Sequence, residues 1–423
     1  MSKLKALLLR KDFLFSGLSF GLKFISNLVV FGLLARILEV SVFGVVSFLV
    51  LLVTIIQTII DYGHRVFIVK ELTQGEQKLD ASYLAKKFHT KIFLFGLIAL
   101  AFIPYAIHQS FWGVNPLLLF VFISSGFFMG IAYLGIAVFH SNNRFEYETI
   151  VLAVSVSTVL FGVFLTHYFS DEFYFLLFYF FSTLLMALTS LFLLRKKFGI
   201  SIKALAQKVS FPSIKKEYLI AGPFAIITIV DIFYGTFDTF YIESYCTENE
   251  LGIYQGIIKI LVGLSVFSII TLSVCMPIVS RLYAEGSRQS LYKIIGMYVG
   301  LSVIGAIIFM LYFIFNREII LVVLGAKFIE IAEWDFQIGL YCMSRYFRII
   351  PAIFLVISGN HFKRLGITLI VFLITLALFE YNIPSRGVKY AVRAISWSNM
   401  VLSLSYGLIF MYLMFSKFKK ATH

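Results

Sequence analysis

Charge is what this sequence has little of. Only 14% of its 423 residues are Asp, Glu, Lys or Arg, against about 25% in an ordinary soluble domain. Sixty per cent are hydrophobic and the mean hydropathy is +0.93. The longest polar stretches run to about two dozen residues, which leaves no room for a separate soluble domain. Cysteine is also scarce: Cys246, Cys275 and Cys342 are odd in number and lack metal-ligand spacing, so neither a disulfide framework nor a zinc site is expected, and they read as packing residues. The basic N-terminus precedes an apolar run that is too long for a secretory signal and has no small-residue cleavage site, so it reads as a retained first span. No compact Ser, His, Asp or paired-carboxylate constellation stands in the predicted external loops, which are all short.

What is present is a series of apolar runs, each about 17 to 25 residues, the length of a helix across a hydrocarbon core of about 30 Å. The runs predict an all-α polytopic membrane protein with about twelve transmembrane helices. The first six cover about Phe13–Ile37, Val42–Ile60, Ile92–Ile107, Pro116–Phe139, Thr149–Phe169 and Phe173–Leu194. The second six cover about Leu219–Ile242, Ile257–Val279, Ile294–Phe315, Phe336–Ile357, Leu365–Ile383 and Val388–Phe415. Between the sets lies the longest and most basic polar segment, "RKKFGISIKALAQKVSFPSIKKEY". It divides the chain into an N-terminal six-helix lobe (1–197), a cytoplasmic basic linker with an amphipathic piece (198–218) and a C-terminal six-helix lobe (219–423). Two lobes of equal helix count suit an alternating-access transporter.

The net charge of +14 is explained by placement: 26 of the 36 Lys and Arg residues fall on the termini and the even-numbered loops. The positive-inside rule then puts both termini in the cytoplasm, and anionic lipid head groups account for the surplus better than nucleic acid does.

Ionisable residues inside the spans are costly, about 2.5–3.5 kcal/mol each at a helix centre, and should face protein or a hydrated cavity. "IITIVDIFYGTFDTFYIE" carries two. Asp231 falls near the midplane and Asp238 two turns on, near the outer interface, with Gly235 thinning the face between them. Two readings stand for Asp231: a carboxyl that takes and releases a proton, or a fixed partner for Lys259 or Arg345 or a cap on a helix broken near Pro223. Asp238 reads as an outer gate or structural hydrogen-bonding group. Arg345 and Arg348 share one helix face, as do Lys23 and Asn27. Cations in excess of aspartates, aimed inward, would suit an anionic substrate, because arginine matches phosphate oxygens in two-point geometry. Snorkelling to the interface is the competing reading for Lys23 and for the arginine pair, and it is harder for Arg345 and Arg348, which lie near the middle of their span. The spacings Gly17/Gly21, Gly126/Gly130 and Gly296/Gly300 predict close helix packing, and His64, His108, His140 and His167 fall at span ends, as solvated loop histidines would.

The segment from Ala221 to Gly286 resembles the start of the second lobe in polysaccharide flippases of the multidrug/oligosaccharidyl-lipid/polysaccharide exporter superfamily. The matching residues are Pro223, Asp238, Gly252 with Tyr254, and Pro277 with Ser280 and Arg281. "LLARILEVSVFGVVSFLV", "DYGHRVFIVKEL" and "LGAKFIEIAEW" are similar to the family's "R-x-L…FG" turn, its "D-x-G" with a following surface helix, and its short external helix. Asp231 is not part of that pattern. The resemblance implies a V-shaped two-lobed transporter that flips undecaprenyl-diphosphate-linked repeat units to the outer leaflet for O-antigen, capsule or exopolysaccharide synthesis. It implies no enzymatic chemistry and no cofactor beyond a coupling ion, H⁺ or Na⁺. Its partners would be the lipid-linked oligosaccharide, membrane lipids, and the polysaccharide polymerase and chain-length machinery. On this reading Lys23, Lys259, Arg345 and Arg348 hold diphosphate, Asp231 and Asp238 couple or gate, and Asn27 lines the cavity. A cation-coupled multidrug exporter should instead show an acidic, aromatic cavity. A glycan polymerase would need longer external loops, and a major-facilitator sugar transporter would need a "GxxxDRxGRR" loop that is absent here.

Overall fold

The computed structural model describes residues 11–73, 78–108 and 116–420, and among them it is helical, with no strand. In hydrocarbon every backbone N–H and C=O must be satisfied within the segment, and an apolar helix does this alone. The helices are α1 (Lys11–Ile37), α2 (Val40–Asp61), α3 (His64–Thr73), α4 (Ala81–His108), α5 (Pro116–Ile123), α6 (Ser125–Ser141), α7 (Phe145–Phe169) and α8 (Phe173–Phe198). There follow α9 (Ile202–Leu205), α10 (Phe211–Tyr234), α11 (Phe237–Tyr245), α12 (Glu248–Glu285), α13 (Arg288–Val323), a 3-10 turn (Ala326–Trp334), α14 (Asp335–Ile357) and α15 (His361–Lys420).

Nine of the described helices are long and apolar enough to cross a membrane, or ten when the bent pair in α10 counts as one span. The sequence predicts twelve. The remainder lies in α4, which carries the predicted third span, and in α15, where two predicted spans run on as one 60-residue helix interrupted at Gly387, φ +58°. The pair in α10, Phe211–Gly222 and Phe224–Tyr234, is bent by 57° at Pro223, which has no N–H for the helical ladder.

Contacts divide the chain into two compact units. The first comprises Met1–Leu38 and Val45–Thr236, and the second Glu39–Gly44 and Phe237–His423. The division therefore falls between α10 and α11 and cuts the seventh predicted span: its part in α10 belongs by its contacts to the first unit and residues 237–242 to the second.

In the first unit α1 lies on α7, α7 on α8 and α8 on α6, while α3, α4 and α10 pack on one another. Its core gathers Leu134, Val138, Phe139, Val151, Leu152, Leu193 and Leu194. Residues 198–218, expected as a linker, also feed this core: Gly199 ends α8 in the left-handed conformation, φ +72°, Ser201 caps α9, and Ile200 and Leu205 are buried. Gly126 and Gly130 do pack closely, since a Cβ would come within 2.7 Å of Ile56 and 2.8 Å of Ile60. A Cβ on Gly17, Gly21, Gly296 or Gly300 would meet nothing within 4 Å among the described residues, so those pairs are not contact points among them. Their faces are open.

The second unit is built on α12, α13, α14 and α15 around Cys275, Ile294, Tyr346, Ile350, Phe354 and Phe410. Thr247 and Glu250 form a capping box that starts α12. Two of the loose sequence motifs meet here. A Cβ on Gly44 would sit 2.5 Å from the Gly252 nitrogen, and one on Gly252 would sit 1.9 Å from the Val40 carbonyl oxygen, so only glycine lets these backbones touch. Tyr254, two residues on, donates its hydroxyl to the buried Asp238 carboxylate.

Candidate functional site

The site in the first unit begins with the turn Asp61–Tyr62–Gly63. Tyr62 (φ +51°) and Gly63 (φ +71°) both take left-handed conformations and reverse the chain between α2 and α3. At Gly63 a Cβ would stand 2.8 Å from the backbone of Phe224 on α10, which explains glycine at that position. Asp61 then serves two groups: Oδ2 accepts the backbone N–H of Arg65 in the first turn of α3 (3.2 Å), and Oδ1 accepts from Lys91 Nζ (2.7 Å).

This turn forms one wall of a cavity of about 490 Å³. Gln57, Asp61, Arg65, Tyr133, His140 and Thr228 contribute to its lining, from α2, α3, α6 and α10. The Arg65 guanidinium lies 5.1 Å from the centroid of the Tyr133 ring, and the Lys23 ammonium approaches the same ring at 5.9 Å. Lys23 pairs with Glu148 Oε1 at 2.6 Å, while His140 donates from Nε2 to Glu148 Oε2 at 2.8 Å. Electrostatically, then, Glu148 neutralises Lys23 and Asp61 neutralises Lys91. Among the described residues no carboxylate lies within ion-pair reach of Arg65. Arg65 is therefore the cation whose field is left for a ligand.

Beneath the cavity a second charged cluster joins α3, α4 and α10. Lys87 is 1% exposed and pairs with Glu217, with Glu71 Oε2 at 3.7 Å. Its ammonium also lies 3.9 Å from the centroid of the Tyr83 ring, whose hydroxyl donates to Glu71 (2.6 Å). Burial pushes the Lys87 pKa down while Glu217 and Glu71 push it back up, and burial with Glu71 raises that of Tyr83. His64 is fully buried, and neither ring nitrogen hydrogen-bonds to any described residue. Burial, with Lys91 and Lys87 nearby, holds its pKa well below 6.5. The structure thus overturns the loop reading for His64 and His140, whereas His167 is exposed as expected. His108 lies among residues whose side chains are not described.

Of the residues singled out from the sequence, Lys23 borders the cavity. It is held by Glu148 rather than extended to an interface. Asn27, one turn on, is exposed. Lys259 on α12 and Arg345 and Arg348 on α14 are half-buried in the second unit, where Arg348 makes a long 3.5 Å contact with Asn399 Oδ1. Asp238 is buried there as well; one oxygen takes the Tyr254 hydroxyl and Oδ1 has no described partner. Asp231 lies on α10, but its side chain is outside the described ones. Sequence reasoning missed Arg65, Lys87, Lys91, Glu148 and Glu217. All five sit just outside the predicted spans, where charge is ordinary. The available signal was "DYGHRVFIVKEL", in which a turn motif stands beside a dense run of charge.

The profile of a family described as polysaccharide biosynthesis protein matches residues 9–283. The chain belongs to that family. No curated protein matches the chain. Among solved structures, the chain is similar to the inward-facing conformation of a multidrug resistance MATE family transporter of the MOP superfamily. The TM-score is 0.74 at 12% identity, over 97% of this chain and 99% of that one. The outward-facing conformation of such a transporter gives 0.62 at 12% identity, over 95% and 94% of the two chains. A MOP superfamily transporter from Pyrococcus furiosus, described as having a binding pocket of reverse polarity that suggests a different function, gives 0.61 at 13% identity, over 95% and 94%. At such identities the likeness establishes the fold alone: an all-helical, multi-pass architecture of the kind those transporters have.

Proposed function

We propose that this protein is a flippase for lipid-linked oligosaccharide, moving undecaprenyl-diphosphate-linked repeat units from the cytoplasmic to the outer leaflet, with both termini cytoplasmic. The observation that carries this is the sign of the cavity in the first unit: Arg65, laid on Tyr133 without a carboxylate partner among the described residues, beside the Lys23–Glu148–His140 chain. A guanidinium in such a place favours phosphate oxygens. A sugar diphosphate cannot cross hydrocarbon unaided, whereas its prenyl tail can remain in lipid while the head group passes through a polar cavity. No covalent step is needed. Lys259, Arg345 and Arg348 are further candidate diphosphate-binding cations, and Asp231 or Asp238 would couple the cycle to an H⁺ or Na⁺ gradient.

The multidrug reading draws support from the shared fold with multidrug resistance transporters. An organic cation, however, would meet the unneutralised charge of Arg65, and like charge disfavours its entry. The deciding experiment is reconstitution in proteoliposomes with a fluorescent prenyl-diphosphate oligosaccharide, scoring leaflet exchange with and without an imposed ion gradient. Exchange that Arg65→Ala abolishes supports the proposal. Export of an organic cation with no lipid exchange overturns it.

A further inference from the structure

Glu148 is 3% exposed and has both carboxylate oxygens engaged by side chains at the edge of the cavity, Oε1 by Lys23 and Oε2 by His140. We propose that Glu148 is an internal counter-anion that holds Lys23 until an anionic head group displaces it, so that Lys23 is released only to ligands of higher charge than a carboxylate. This rests on the diphosphate reading of the same cavity.

Four features carry it. The pair is asymmetric: the Lys23 side chain is 31% exposed and that of Glu148 only 4%. The lysine is therefore the member free to swing, on a four-carbon stem with three donors. Its ammonium already approaches the Tyr133 ring that the Arg65 guanidinium covers, so a single aromatic platform serves both cations. Release of Lys23 does not orphan the carboxylate, because His140 Nε2 keeps its other oxygen and Thr149, the next residue, fixes the start of α7 through Ser19 at 2.7 Å. Finally, the exchange is anion for anion. A diphosphate offers more charge and more acceptor oxygens than the carboxylate it replaces, so it gains from the swap. A carboxylate or a neutral solute gains nothing. Glu148 then acts as a specificity-determining residue that holds the resting charge at Lys23 to zero and selects for diphosphate.

The test is binding to the full-length protein in detergent, with farnesyl diphosphate and inorganic pyrophosphate as probes. Glu148→Gln, isosteric and still able to accept from His140, should tighten binding about tenfold, the scale of one charge-assisted hydrogen bond freed for the ligand. The gain should vanish in a Lys23→Met background. A gain with both probes supports exchange with free diphosphate as a sufficient ligand; a gain confined to the prenyl probe supports the lipid head group. If Glu148→Gln does not fold, Glu148→Asp, which shortens the reach to Lys23 by one methylene, should give a smaller gain of the same sign. Unchanged or weaker binding in a folded variant overturns the exchange, as does a gain that persists without Lys23. Failure of the underlying site reading is distinct: there Arg65→Ala would leave affinity unchanged, whereas failure of the exchange alone leaves Arg65→Ala impaired.

Discussion

Lys87 and Glu217, 130 residues apart in the chain, form a buried ion pair that fastens α10 to α4 within the first unit. Tyr218, the next residue, adds a hydrogen bond from its hydroxyl to the Thr90 carbonyl oxygen at 3.1 Å and an edge-on contact with Tyr62. The early turns of α10 are thus held to α4 by polar bonds, in keeping with its grouping by contacts with the N-terminal helices.

Removing one member of the pair should be far worse than removing both. Lys87→Met would leave Glu217 and Glu71 facing each other in a buried site, and stranding a buried charge costs about 3–5 kcal/mol. Combining Lys87→Met with Glu217→Leu should recover most of that loss. Thermal unfolding in detergent reads both. Equal melting temperatures for the single and double variants would refute the pairing.

His64 should make the protein acid-sensitive. Its folded pKa lies well below the ordinary 6.5, so the unfolded chain takes up a proton first as pH falls. The stability that neutral His64 contributes is complete above about pH 6.5 and is lost progressively below it, toward the folded pKa. Replacing His64 with Leu should flatten the acid limb of a melting-temperature profile. A wild-type profile with the same acid limb as the variant would sink this assignment.

Gly252→Ala should be among the most damaging single-methyl changes in the chain, because the added Cβ would meet the Val40 carbonyl oxygen at 1.9 Å, a backbone atom that cannot rotate away. Overpacking usually costs about 1–3 kcal/mol, and this rigid contact belongs at the upper end. Gly300→Ala is the control: nothing lies within 4 Å, so a stabilisation of up to about 1 kcal/mol from helix propensity is expected. Comparable losses in the two variants would contradict the packing.

Arg65→Ala should weaken farnesyl diphosphate binding about ten- to a hundredfold, the scale of one or two hydrogen bonds to a charged group. Arg65→Lys should recover only part, since a single ammonium cannot make the forked contact. Full recovery by lysine would reduce the role of Arg65 to that of a point charge.

By itself the sequence determined that the chain is helical, polytopic and sparing of charge, since runs of apolar residues leave the backbone no other way to satisfy its hydrogen bonds in lipid. The motifs that hold Gly44, Gly63 and Gly252 stood out in the sequence, but that each glycine marks a close backbone approach came only from the structure. Depth alone singled out Lys23, but not its partner. Lys87, Lys91, Arg65 and Glu148 stand in polar stretches, where a charged residue normally meets water and carries no signal. Only the tertiary structure paired Lys87 with Glu217 and Glu71, Lys91 with Asp61 and Glu148 with Lys23, and left Arg65 without a counter-ion among the described residues, because burial and pairing are set by which helices pack together.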